Sequence, residues 1–362
     1  MSIFSIFAQN DQTAVLSTEV TTGLWSPDET GSLSTVFTSS IQKDIAGEYF
    51  YDLYNLNPAV TSNNAEVQFS VAYGHVDGGG SPILDTSILG GQSVLPTQVI
   101  YSQYRNILLT SGSKFTFNQT ASNDIYVINI NRARMKQALD PGNWELGLSG
   151  SKGISTFVDD FGVSNTVSGN IIASNVYNIR SGSLTAGSAS FGDSLVYGLV
   201  FPDYGAIVLS PSAISASVGF SGSSGAGNLN AVTNMSGPFA PYTGSAATSY
   251  QYQHEALLRS ISGSMFRGVP FVARGVEKIS SKNYSVYLRY DEFNYTNNPS
   301  YYTIDADGKR QILTPFKDSP ITYITTIGLY NEQNELLAVA KLSRPLQKSK
   351  DKAALIRVRL DY

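Results

Sequence analysis

The chain of 362 residues contains no cysteine. Disulfides and thiolate metal sites are therefore excluded, which suits a reducing cytoplasm or a fold that dispenses with cross-links. Histidine is nearly absent: His75 and His254 are the only two. Charged residues make up 14% of the sequence, against about 25% in ordinary soluble domains. Two explanations remain open, a surface largely covered by other subunits or a Ser/Thr/Asn-rich surface that stays soluble without charge. No run of about 18 apolar residues occurs, so no membrane span is expected. The opening MSIFSIFAQN lacks a basic segment and its apolar run is too short for a signal peptide. It reads as a native start.

What charge there is lies unevenly. Residues 1–250 carry 8 Lys/Arg against 17 Asp/Glu, and residues 251–362 carry 16 against 11. The first part is thus net −9 and the second +5. Segments of opposite sign can dock on a neighbouring copy or on another charged partner, or both can simply be solvated. The basic residues are scattered along strands with acidic residues among them, so nucleic-acid binding is not expected.

Strand signals dominate. Runs rich in Thr, Val, Ile, Tyr and Phe are broken by Gly, Asn, Asp and Ser. Examples are Glu66–Tyr73, Val99–Tyr104, Lys114–Phe117, Ile125–Ile130 and Trp144–Leu148. In Glu66–Tyr73 (EVQFSVAY) the residues Val67, Phe69 and Val71 alternate with Glu66, Gln68 and Ser70, the pattern of a half-buried strand. The best helix is Asn131–Leu139 (NRARMKQAL), capped by Asn131 and stopped by Asp140-Pro141-Gly142. A weaker one is expected near Tyr252–Ser260. Residues 161–250 hold only three charges, Arg180, Asp193 and Asp203, and are dense in Ser, Gly, Ala and Asn. Within them Gly219–Gly227 reads as a linker, whereas Ser194–Leu209 is strongly apolar. In the C-terminal part, Val269–Ala273, Tyr284–Asp291, Tyr323–Tyr330, Leu336–Leu342 and Ala354–Tyr362 read as strands. The resulting expectation is a mainly β protein of antiparallel, sandwich-like domains with one short helix. It comprises an N-terminal β domain (1–160), a Ser/Gly-rich insertion (161–250) and a basic C-terminal β domain (251–362).

Reaction chemistry is hard to assemble from these residues. His75 and Asp77 stand beside Gly78, Gly79 and Gly80; this is a base with its orienting partner, a pair of metal ligands, or a chain reversal of the usual Gly-rich kind. The triglycine lacks the remainder of a phosphate loop. Asp305-Ala306-Asp307-Gly308 opens like a calcium loop, but the twelfth position is Phe316. A tight turn between Tyr301–Ile304 and Arg310–Leu313 is the simpler reading. Asp159 and Asp160 are adjacent, and neighbours on a strand point to opposite faces, which suits shared acid–base work poorly. No nucleophile elbow and no zinc-protease helix motif is present. Glycosidase carboxylates carry no sequence signature, so a depolymerase is disfavoured rather than excluded. No catalytic residue, cofactor or metal is expected. The 22 tyrosines supply interface area with a polar end, and they also suit sugar stacking.

Several C-terminal segments occur in a telling order: Phe271–Ser280 (FVARGVEKIS), Asp291–Tyr302 (DEFNYTNNPSYY), Tyr323–Asn331 (YITTIGLYN), Glu335–Pro345 (ELLAVAKLSRP) and Ala354–Tyr362 (ALIRVRLDY). Together they resemble the C-terminal module of virion structural proteins from contractile-tailed, T-even-like phages, cyanophages in particular. The pattern IGLYN…LLAVAKLS is also similar to a segment of tail-collar and fibre proteins. Upstream, Val20–Thr38, Gln68–Ser81, Val99–Leu109 and Tyr126–Gly150 resemble the same cyanophage family, and residues 161–250 match it least. The resemblance implies a non-enzymatic virion component made in the host cytoplasm, in the tail baseplate or at a fibre attachment point. A neck, collar or head-decoration protein is the alternative within that class. A receptor- or glycan-binding module of the tail is the rival outside it. The implied partners are other virion proteins and further copies of the chain, with a host surface glycan as the remaining candidate. Tyr295, Tyr301, Tyr302, Tyr323, Tyr330, Arg357, Arg359 and Tyr362 are the expected assembly residues; the loop with the turn Asn297-Asn298-Pro299 presents Tyr295, Tyr301 and Tyr302 either inward as core or outward to a partner, with two of the three read as core. The hairpin within Thr322–Ser343 is expected to pair with Ala354–Tyr362, and its turn is Asn331–Glu335.

Overall fold

A computed structural model describes residues 12–38, 50–60, 64–78, 96–150, 152–163, 167, 169–185, 188–219 and 253–361. The chain is mainly β, with 47% strand and 18% helix, and every registered strand pairing is antiparallel. The expected class therefore holds. It divides into two compact units, Val20–Glu277 and a smaller one made of Met1–Glu19 with Lys278–Tyr362.

The larger unit is built on a nine-stranded sheet that curls into a half-barrel. Its main path runs Phe50–Tyr54, Val67–His75, Asp124–Ile130, Ala206–Leu209, Gly198–Phe201, Tyr177–Thr185, Gly153–Asp159 and Leu146–Gly150. The expected insertion is thus partly woven into the sheet: Tyr177–Thr185 pairs with Gly153–Asp159, and Ala206–Leu209 pairs with Asp124–Ile130. The apolar stretch Ser194–Leu209 supplies two of these strands, joined by a turn at Pro202–Tyr204. The linker reading of Gly219–Gly227 lies outside the described residues beyond Gly219.

Both faces of this sheet are covered, which explains its continuous apolar runs. Tyr126, Ile128 and Ile130 enter one core together with Val200, Ile207 and Leu209. Their neighbours Ile125 and Val127 enter a second core with Leu199, Phe201, Ala206 and Val208. Two-residue periodicity thus sorts one strand into two cores. Helix Pro211–Val218 and helix Gln253–Phe266 supply Ile214, Val218, Leu257 and Ile261 to the first. Helix Pro96–Leu108 supplies Tyr101 and Leu108 to the second.

Three expectations about this unit need correcting. Val99–Tyr104 is helix, not strand. Its β-branched start suggests extension, yet Thr97, Tyr101 and Leu108 are buried with Tyr104 half-buried between them, a helical spacing. The helix lies so close to the sheet that a side-chain carbon at Gly74 would come within 2.8 Å of the Tyr101 nitrogen. The expected helix Asn131–Leu139 is capped by Asn131 but stops after Arg132–Met135. The chain turns at Lys136 (φ +56°), and Ala138–Leu139 becomes a strand against Gly275 and Val276. Finally, Val67–His75 is not half-buried, because Gln68 is sealed in as well. Its amide accepts from the Ser26 nitrogen at 3.0 Å and donates to Ser26 Oγ and Glu66 O, each at 2.8 Å. Full hydrogen bonding makes that burial tolerable.

Strand Arg274–Leu288 starts in the larger unit and continues into the smaller one, where it pairs along Ser281–Leu288 with Ala354–Asp361; Gln12–Gly23 lies on its other edge. Ile356 and Val358 are buried while Arg357 and Arg359 are exposed, as their alternation requires. The terminal strand therefore does not pair with the Thr322–Ser343 hairpin. That hairpin is a separate two-stranded ribbon, Ile321–Tyr330 against Leu336–Ser349. Arg274–Leu288, longer than the expected Tyr284–Asp291, offers an eight-residue register that takes up the whole terminal strand.

Candidate assembly surface

His75, Asp305, Asp159 and Asp160 each accept hydrogen bonds from nearby backbone nitrogens. His75 ends its strand, and its Nδ1 accepts from the Asp77 nitrogen at 3.1 Å in a chain reversal. Asp305 Oδ1 accepts from the nitrogens of Asp307 and Lys309, closing the turn between Tyr302–Ile304 and Arg310–Ile312. Gly308 takes φ +77° there. Among the described residues no three His, Asp or Glu side chains gather as a metal site. An open hollow of about 350 Å³ is lined by Val167, Gly169, Ile171, Ser174, Asn175, Val176 and Tyr177 and holds no charged group.

Asp159 and Asp160 are both fully buried, and as expected they diverge. Asp159 accepts from the Gly142 nitrogen at 2.9 Å, from the Phe161 nitrogen at 3.2 Å and from the Trp144 indole. Burial pushes its carboxyl up to about 6, against the pull of those donors. Asp160 accepts from the Asn178 nitrogen and Nδ2, each at 2.9 Å, and faces Arg180 Nε at 3.5 Å. Each carboxylate is consumed in pinning a strand end to a loop.

The expected assembly residues lie in the smaller unit, apart from Tyr362, which falls outside the described residues. Tyr301 is only 3% exposed and cannot offer a docking surface. Its ring stacks on Phe316 at 4.5 Å and meets Tyr295 edge-on at 5.6 Å, and its hydroxyl donates to Asn294 O. Tyr302 is half-buried beneath the Arg310 guanidinium, 4.8 Å from the ring centre. Tyr295 stays exposed. The loop carrying these rings is tied down by Lys348, a wholly buried residue. Its ammonium donates to Tyr290 O, Asn294 Oδ1 and Ser349 O at 3.0, 3.0 and 2.9 Å. Burial lowers its pKa, and Asp291 and Glu292 oppose that shift. Thr322 Oγ1 adds a bond to Phe293 O at 2.8 Å. The ribbon's base is therefore locked onto this loop.

Away from its base the ribbon is unusual. Its turn is sharply defined: Asn331 and Glu335 exchange backbone and side-chain bonds, and Asn334 takes φ +62°. Beyond Ile324 and Leu346 the register jumps to Thr326 and Lys341, so one residue opposes four. On the outward face Tyr330 pairs with Leu336, and Gly328 with Val339. A side-chain carbon at Gly328 would lie 2.8 Å from the Tyr330 ring, so the ring lies across the glycine. Even so, Tyr330, Leu336, Leu337 and Val339 stay exposed, the last two at 68% and 53%, as does Tyr323 at 63%. A two-stranded ribbon has little core of its own and is marginal alone in water. Contiguous exposed apolar side chains on it make the ribbon a candidate contact surface.

Arg357 and Arg359 are exposed on the outer face of the terminal strand. Arg359 is engaged by Asp361 at 2.7 Å and Ser281 at 2.9 Å. Beside them Tyr287 pairs with Leu355, and both are exposed. Leu336, Leu337 and Val339 were not among the expected assembly residues. Leu337 is the extra residue of a bulge, since Leu329 pairs with Ala338 and Tyr330 with Leu336, and composition does not mark a bulge. No family model, curated protein or solved structure matches the chain.

Proposed function

We propose that the chain is a non-enzymatic structural subunit of a bacteriophage particle, in the tail baseplate or at a fibre attachment point, and that its smaller unit does the docking. The observation that carries this reading is the ribbon, anchored at its base by Lys348 and bearing uncovered Tyr330, Leu336, Leu337 and Val339. The ribbon is formed by the same IGLYN…LLAVAKLS segment that resembles phage tail-collar and fibre proteins. Sparse charge over the chain supports large covered surfaces. A neck, collar or head-decoration position would use the same chemistry, and locating the subunit in a cryo-EM map of the particle separates these places. Mass spectrometry of purified particles tests the reading itself, with the chain expected as a stoichiometric component. Its absence from particles would sink the proposal.

Exposed Tyr287, Tyr290 and Tyr323 favour a second reading, a glycan-binding surface. A glycan array probed with the full chain tests it. Binding that Tyr323→Ala abolishes would move the function to recognition.

A further inference from the structure

We infer that the outward face of the ribbon is a two-fold contact between two copies of this chain. The ribbon carries its charges in a fixed order along its length. Glu332 and Glu335 lie in the turn, then come the exposed Tyr330, Leu336, Leu337 and Val339, then Lys341 and Arg344. Acid, apolar, base is an order that complements itself when one copy is turned end for end. Two ribbon tips laid antiparallel bring the apolar patches together at the axis. Each acidic turn then lies over the Lys341 and Arg344 of the other copy. A two-fold contact of this kind uses the same patch on both partners, so no second binding site is required. Among the described residues Glu332, Glu335, Lys341 and Arg344 enter no ion pair within the chain, and the Glu335 carboxylate accepts only from the neutral Asn331 amide at 2.7 Å. The contact also supplies what the ribbon lacks, an apolar surface to cover its outward face.

Strand addition along the outer edge of Leu336–Ser349 is the competing geometry. The four-residue bulge at Leu342–Pro345, which includes a proline, interrupts that edge. Face-to-face packing is unaffected by it.

This inference rests on reading the chain as an assembly subunit, but it is tested separately. Absence from particles defeats that reading, whereas a chain present in particles yet unable to self-associate defeats only this contact. The full chain is measured by light scattering after size exclusion, up to about 100 µM. Dimers are expected, weakening as salt rises. The pair Glu332→Lys and Glu335→Lys should raise the dissociation constant at least tenfold, as should Lys341→Glu with Arg344→Glu. Mixing these two variants should restore a one-to-one dimer, because every cross-contact is again opposite in charge. Restoration also shows that both variants fold. Leu337→Asp with Val339→Asp should leave monomers at every salt concentration. A wild-type chain that stays monomeric, a mixture that fails to pair, or a dimer indifferent to all these changes overturns the inference.

Discussion

Single buried polar residues hold this fold at points where sequence offers only a letter. Asp159 has a folded pKa near 6 against an ordinary 3.8, so the folded state binds its proton more tightly than the unfolded chain does. Ionisation therefore costs stability: the penalty is fully present above about pH 6 and disappears as pH falls to about 4. Two pKa units correspond to roughly 3 kcal/mol. The wild type should gain thermal stability between pH 7 and pH 4 relative to Asp159→Asn, which cannot titrate. Equal pH slopes for the two proteins would contradict this. Lys348 is the counterpart in the smaller unit. Lys348→Met keeps the aliphatic stem but strips the donor from Asn294 Oδ1 and Ser349 O. It should destabilise that unit by about 2–4 kcal/mol, since buried acceptors are left without their charged partner. Calorimetry of the variant checks the magnitude.

At the scale of elements, the residues disclosed most where periodicity and local turn chemistry acted alone. The ribbon's strands and its Asn331–Glu335 turn were legible because apolar β-rich arms flank a polar loop that Asn331 closes by itself. Asp305 and Gly308 were legible as a turn for the same reason. Legibility failed where distant partners decide. Val99–Tyr104 has strand-like composition, yet helical burial of Tyr101 against Gly74 wins. Ala354–Asp361 was read correctly as a strand but given the wrong neighbour, because composition does not encode which edge it joins. Of the residues expected at an assembly surface, Tyr323 and Tyr330 are exposed, Tyr301 belongs to the core as the inward reading of its loop had it, and the leucines beside the turn went unnoticed. Truncation tests the helix directly. Tyr101 fills the second core and its hydroxyl donates to Ser122 O at 2.9 Å. Tyr101→Ala should cost about 3–5 kcal/mol, the usual range for removing a buried aromatic ring, measurable by denaturant unfolding.

For the molecule as a whole, the two units are unequally provided with core. The larger one buries Trp25, Trp144, Tyr126, Phe157 and Phe201 among many others, whereas among the described residues of the smaller the buried hydrophobics are Leu288, Tyr301, Leu329, Ile356 and Val358. Burial drives stability, so a calorimetric scan should show two transitions with the smaller unit melting first. Ile356→Asp should lower only the first of them and Tyr101→Ala only the second. One transition shifted equally by both changes would show the units to be a single cooperative block. The pairing order of the large sheet also sets a timetable. Asp124–Ile130 pairs on one side with Val67–His75, which has already been made, and on the other with Ala206–Leu209, which has not. At roughly 5–20 residues per second of synthesis, that open edge waits several seconds for its partner. The face bearing Tyr126 and Ile128 waits longer still, until helix Gln253–Phe266 emerges. A nascent chain halted between these points carries an unpaired strand and a bare apolar face together, the combination that most invites mispairing and aggregation during manufacture.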